Sequence, residues 1–152
     1  MIQRIQTLYL SLALIMMGFL LVMPMGGIAV GEKVYSFSSL GTIESMTGLT
    51  VSRAWYIFAV AAIILVVQAL AIFAYKSRKR QMKLVLANVA LMLVFVVVAW
   101  FTLKSSAKAL GEGISSFNMP AVFPIVSMIL NYMAYRYIRK DDELVKSVDR
   151  IR

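Results

Sequence analysis

The sequence predicts an all-α fold, an integral membrane four-helix bundle with both termini cytoplasmic, and three observations predict it. Hydrophobic residues make up 61% of the 152 residues and charged residues only 15%, whereas an ordinary globular chain is roughly half apolar and about a quarter charged. A soluble domain of this length has too high a surface-to-volume ratio to hide so much apolar surface. Four apolar runs approach the ~20 residues needed to cross a ~30 Å hydrocarbon core. The Lys and Arg residues gather at one set of run ends, as they do in cytoplasmic loops. The chain therefore reads as a single transmembrane domain over 1–152.

The first helix is expected at about 5–23; it contains LYLSLALIMMGFLLVM and ends at Pro24, ahead of Gly26 and Gly27. It reads as a retained span, because the run is long for a signal-peptide core and no crisp cleavage site follows, Gly27-x-Ala29 being the nearest. The second is expected at about 54–75 and the third at about 84–103. The fourth, about 121–138, is the shortest and most polar, with Pro120 and Pro124 in its first turns. Proline is tolerated there because the first amides of a helix lack intrahelical partners anyway. No Asp, Glu, Lys or Arg occupies the centre of any run. Strands of a membrane barrel would alternate apolar and polar residues. Continuous apolar runs do not, and in lipid helix is the remaining way to satisfy the backbone.

Charge fixes the expected orientation. Arg4, the stretch Lys76, Arg78, Lys79, Arg80 and Lys83, and the six basic residues from Arg136 to Arg152 fall on one side. Only Lys33, Arg53, Lys104 and Lys108 fall on the other. By the positive-inside rule the first side is cytoplasmic. Trp55, Tyr56 and Trp100 mark outer helix ends, and Tyr75, Tyr135 and Tyr137 inner ones, at the depth that Trp and Tyr prefer.

The outer loops are rich in Gly, Ser and Thr, and the stretch Ile28–Phe37 around Gly31 has the pattern of a small hairpin. Gly31, Glu32, Ser36 and Phe37 are echoed in spacing by Gly111, Glu112, Ser116 and Phe117, and Ala74-Tyr75-Lys76 by Ala134-Tyr135-Arg136. Either the two halves are a parallel repeat of helical hairpins or the echo is coincidence. The tail, 139–152, is patterned as an amphipathic helix, with Leu144, Val148 and Ile151 on one face. Arg139 with Glu143 and Asp142 with Lys146 are opposite charges at i, i+4. The tail reads either as a solvated extension of the fourth helix or as a docking helix for a protein partner or the membrane surface.

Without Cys or His, thiol chemistry, thiolate metal sites and His-dependent triads are excluded. No cofactor and no metal are expected. Met23 and Met25 are soft ligands suited to copper(I), but with 11 Met in the chain they read as packing groups. The net charge of +9 is explained by orientation and by attraction to anionic lipid headgroups, so nucleic acid is not an expected partner. The candidate intramembrane polar contacts are Gln68, Asn88, Ser127 and Asn131. Amides in lipid seek partners on neighbouring helices; the alternative is a polar pathway for a neutral solute. The candidate partner or lipid surface comprises Lys76, Arg78, Lys79, Arg80 and Lys83 with Leu144, Val148 and Ile151.

The opening MIQRIQTLYLSLA and the ending RKDDELVKSVDRIR resemble an uncharacterised bacterial family, domain of unknown function family 4293. The resemblance spans the chain, and the tail 140–152 is its most specific part. It implies a small four-helix inner-membrane protein of Gram-negative bacteria, and it implies no activity and no site residues. The expected function is non-enzymatic: an accessory or scaffold subunit presenting its charged tail to a partner. The alternative is a small oligomeric transporter or channel for a neutral or lipophilic solute, a homo-oligomer lined by Gln68, Asn88 and Asn131. A lipid-modifying enzyme lacks a visible nucleophile or base.

Overall fold

Helix claims all four apolar runs in the computed structural model, which describes residues 2–111 and 113–149 and the side chains of 5–111 and 113–145. They form α1 (Ile2–Val22), α2 (Trp55–Phe73), α3 (Arg78–Ala109) and α4 (Phe123–Asp149). Four helices are long and apolar enough to cross a membrane. α3 extends beyond its expected bounds at both ends, reaching 32 residues, or about 48 Å at 1.5 Å per residue. It absorbs most of the basic stretch expected as a loop, leaving only a 3-10 turn at Ala74–Lys76 between α2 and α3. α4 runs on through the expected tail to Asp149, so the tail is an extension of that helix. Glu112 and Ile151 lie outside the described residues, as does the side chain of Val148.

The helices pack in a ring, α1 against α2 and α4, and α3 against α2 and α4. One stripe on each faces inward: Leu10, Ala13, Met17 and Leu20 on α1; Ile57, Ala61, Ile64, Gln68 and Ala71 on α2; Val85, Asn88, Met92, Phe95, Ala99 and Leu103 on α3; Ser127, Asn131, Ala134 and Ile138 on α4. Spacings that alternate between three and four residues trace a nearly straight seam along a helix. The small alanines let the backbones approach closely. The outward faces are just as apolar, with Leu8, Ile15, Phe19, Ile63, Val66, Leu86 and Leu93 all exposed. Helices apolar all round are those of a large core or of a membrane span.

The all-α expectation is corrected by a five-stranded antiparallel sheet at the end of the helices where Leu20 and Leu103 lie. Its strands are β1 (Gly26–Val30), β2 (Lys33–Ser38), β3 (Gly41–Glu44), β4 (Thr50–Arg53) and β5 (Ile114–Phe117). Their order is β4-β3-β2-β1-β5. The expected hairpin is β1–β2, closed by a two-residue turn in which Gly31 takes φ 58°, a backbone region glycine enters without steric cost. Alternation drives the packing: Ile28, Tyr35 and Phe37 point to one face and join the main core with Met25, Leu20 and Leu103. Burying a side chain such as Phe37 is worth about 2–3 kcal/mol. Gly26 permits the seating, because a Cβ there would lie 2.8 Å from the Ser116 carbonyl oxygen and 3.4 Å from Leu103. β5, arriving from the connection between α3 and α4, pairs with the free edge of β1. The spacing echo has a physical counterpart there: Phe37 and Phe117 both face Gly26 across β1, and Ser36 and Ser116 both face Gly27.

Gly41 is the tightest point of the sheet, with φ 137° and only 2.0 Å between an added Cβ and the Ser52 carbonyl oxygen. Gly41→Ala is expected to lower thermal stability by about 2 kcal/mol or more, through backbone strain and loss of the β3–β4 pairing. Gly31→Ala, whose Cβ would meet nothing within 4 Å, should cost only the ~1 kcal/mol of a left-handed residue. Melting curves of the two purified variants rank the positions; equal losses would contradict the steric account.

Candidate functional site

Inside a ring of apolar helices a polar side chain has no water to turn to, so its hydrogen bonds must come from the neighbouring helix. Gln68, on the inward stripe of α2, is fully buried and both ends of its amide are engaged. Its Nε2 donates to the Leu10 carbonyl oxygen of α1 at 2.9 Å, and its Oε1 accepts from Asn88 Nδ2 of α3. One side chain thus joins three helices. Ser127 of α4 donates to the Ala13 carbonyl oxygen of α1 at 3.4 Å. Asn131 Nδ2 donates at 2.9 Å to the Ser127 carbonyl oxygen one turn back, and it lies 3.8 Å from the Met92 sulfur of α3. The four polar residues singled out from the sequence therefore all face the interior, and together they touch all four helices. Asn88 Oδ1 and Asn131 Oδ1 are buried acceptors with no donor among the described residues.

Two further glutamines belong to this interior, and sequence reasoning missed both. Gln81 is buried near the start of α3 and donates to the Ala71 carbonyl oxygen of α2 at 3.0 Å, tying the turn between the two helices. Gln6 is buried on α1, one turn before Leu10. The signal was spacing: Gln81 precedes Asn88 by seven residues and shares its stripe. It was hidden by the lysines and arginines around it, which made the stretch look like a loop.

The basic stretch and the tail meet at the opposite end from the sheet. Arg78, Lys79, Arg80 and Lys83 stand on the first turns of α3, where the helix dipole disfavours positive charge. Arg78 Nε pairs with Asp141 Oδ2 of α4 at 2.9 Å, both side chains being partly buried. Asp142 lines a polar pocket there with Tyr75, Lys76, Ser77, Arg78 and Lys79. Arg139 pairs with Glu143 at 2.9 Å along α4, as its spacing predicts, while Leu144 is exposed. Tyr9 of α1 and Tyr137 of α4 stack with centroids 5.7 Å apart. The start of α3 and the tail residues Asp141 and Asp142 thus lie against one another.

At the sheet end, Lys33 of β2 and Glu44 of β3 form an ion pair at 3.2 Å, and Thr47 Oγ1 donates to Glu44 Oε2 at 2.6 Å. The Thr47 hydroxyl, and then the Lys33 ammonium, hold the Glu44 carboxyl below its usual range. The Glu44 hydrogen bond and charge hold Lys33 above its usual range.

A family model described as "Domain of unknown function (DUF4293)" matches residues 2–151, and the chain belongs to that family. A search among curated proteins finds no match.

Two outcomes test this geometry. Gln68→Leu should lower the stability of the detergent-solubilised protein by about 1–3 kcal/mol, since it strands the Asn88 amide. Adding Asn88→Leu should recover part of that loss, so strictly additive single and double variants would speak against the bond. The Glu44 pKa is lowered on folding, so its contribution is full above the unfolded carboxylate value of roughly 4.3 and fades as pH falls through the folded one. Lys33 contributes below its unfolded value and loses that only in strong alkali. Acid unfolding of wild type should therefore show a stability loss below about pH 4 that is reduced in Glu44→Gln.

Proposed function

We propose that this chain is a non-enzymatic accessory or scaffold subunit, built as a four-helix bundle in the bacterial inner membrane. In this reading both chain ends and the Ala74–Lys76 turn face the cytoplasm, and the sheet stands on the outer side. The supporting observation is where the polar chemistry lies. Gln68 and Asn88 are bonded to each other, and Gln68 and Ser127 to backbone oxygens of α1, which is helix cross-linking in a setting whose exterior is apolar. The ordered polar surfaces are at the two ends: the sheet on one side, and on the other the α3 start clamped to α4 through Arg78 and Asp141. The charge count of the sequence supports this orientation, since 12 of the 16 Lys and Arg belong to the chain ends and the stretch Lys76–Lys83 that the reading places in the cytoplasm. The bilayer and its anionic headgroups are the first partners of such a surface. A protein partner would engage the exposed end of α4 around Leu144.

The chain has no Cys, so single cysteines report position without background. Ser52→Cys, on exposed β4, should react with a membrane-impermeant maleimide on intact cells, and Ser77→Cys only after the membrane is opened. The reverse pattern would reject the orientation. Removing 144–152 leaves the Arg78–Asp141 and Arg139–Glu143 pairs in place, so insertion and melting temperature should hold while cross-linking to a cytoplasmic partner in native membranes is lost. Cross-linking that survives the truncation would reject the scaffold role of the tail.

A further inference from the structure

We propose that the protein carries a specific site for an anionic phospholipid in the outer leaflet, with one acyl chain seated in a groove between α3 and α4 beneath the sheet. The proposal rests on the membrane reading above. The groove is a cavity of about 540 Å³, within the ~300–1,000 Å³ of ordinary ligand sites. Its lining is apolar along its length. Phe37 of β2 and Phe95 of α3 are buried in its floor; Trp100, Phe117 and Ile125 stand half-exposed at its rim. Small residues open it: Ala99 on α3 and Ala121 just before α4 lie where larger side chains would close the gap.

A hydrocarbon chain is the occupant such a lining recognises, because no group in it rewards a polar solute for losing water. The head is specified one turn further along α3. At about 100° per residue, Lys104 falls on the helix surface between Trp100 and Phe101, both of which line the groove. Side chains of a helix lean toward its N-terminus, which for Lys104 is the direction of the groove mouth. Lys108 follows one turn later, and both lysines are exposed. Among the described residues four basic ones, Lys33, Arg53, Lys104 and Lys108, belong to this end of the molecule, and two of them follow the groove-lining Trp100 and Phe101 on the same helix. An apolar slot topped by cationic side chains complements an acyl chain attached to a phosphate that bears net negative charge. Trp100 adds a group that favours the headgroup boundary.

The test uses the full chain in a neutral detergent, in a Trp55→Phe background that leaves Trp100 as its single tryptophan. Phosphatidylglycerol with brominated acyl chains should quench Trp100 saturably, reaching a plateau at one lipid per protein. Ala121→Phe and Val97→Phe, which fill the groove, should each raise the half-quenching concentration by about tenfold or more. Lys104→Ala should weaken phosphatidylglycerol several-fold and leave brominated phosphatidylcholine unchanged. Melting temperature separates a filled groove from a misfolded variant. Quenching that rises in proportion to lipid content, without a plateau and equally in both groove-filling variants, would overturn the site. Displacement by glycerol phosphate alone would overturn the seated chain. The thiol-labelling experiment decides the topology separately. Reversed labelling with saturable quenching rejects the outer leaflet but keeps the groove, whereas the expected labelling with unsaturable quenching rejects the groove alone.

Discussion

The constraint on which the structure depends is that the polar side chains on the inward stripes look for partners inside the protein, as Gln68, Gln81, Asn88, Ser127 and Asn131 each do through at least one hydrogen bond, although Asn88 Oδ1 and Asn131 Oδ1 have no donor among the described residues. The exterior of the helices is apolar, so in the membrane setting proposed above outward rotation of a glutamine would expose an amide to hydrocarbon, an environment without hydrogen-bonding partners. An unmatched amide in such surroundings costs several kcal/mol by transfer measures. Gln68 therefore does more than add one bond. It sets the rotation of α2 relative to α1 and α3, since only one rotation brings Nε2 to the Leu10 carbonyl and Oε1 to the Asn88 amide together. Apolar contacts alone are permissive in this respect. A ring of leucines and alanines can slide or rotate with small loss, whereas a directional bond between three helices selects a register. The same logic places Ser127 against Ala13 and Gln81 against Ala71, so register is fixed at several levels along the helices.

The sheet closes one end of the arrangement and links parts of the chain that the helices keep apart. β1 follows α1 directly, while β5 follows α3, and they meet in register with Gly26 opposite Phe117. Pairing residues 85 to 91 positions apart fixes the spacing between the first and third helix ends. The face carrying Ile28, Tyr35 and Phe37 seats on Met25, Leu20 and Leu103, so sheet and helices share one core. This explains why Gly26 matters. A side chain there would hold β1 off both β5 and Leu103, opening the joint between the two layers.

The helices were legible because twenty apolar residues leave few alternatives, and their inner polar residues were legible because they interrupt an otherwise featureless composition. The sheet was legible in one place only. Alternation around Gly31 marks the β1–β2 hairpin, but β4 is exposed at all four positions, which gives no period to read, and β5 exists through its pairing with β1. Boundaries failed where charge was read as a loop. The stretch from Arg78 to Lys83 looked like a loop because its residues are basic, yet they are good helix formers, and Gln81 needs the helix to reach the Ala71 carbonyl. The two roles are compatible, since a helix emerging from an apolar layer carries its charges on its last exposed turns.

That overlap bears on why the acidic residues of the tail stand where they do. A helix that begins Arg78-Lys79-Arg80 places like charge on the positive end of its dipole, at a cost of some 0.3–1 kcal/mol for each such group. The positive-inside rule nonetheless requires those residues on that side if α2 and α3 are to have the proposed orientation. Acids anywhere in the tail would lower the net charge, but only acids brought against the start of α3 answer the local problem. α4 does this by continuing past its apolar part, carrying Asp141 to 2.9 Å from Arg78 and Asp142 into the pocket beside Lys76 and Lys79. An interrupted α4 would release the tail and leave the start of α3 uncompensated. The continuity of α4 through Asp141 and Asp142 is thus tied to the positive charge at the start of α3, and this first part of the polar tail compensates that charge within the protein.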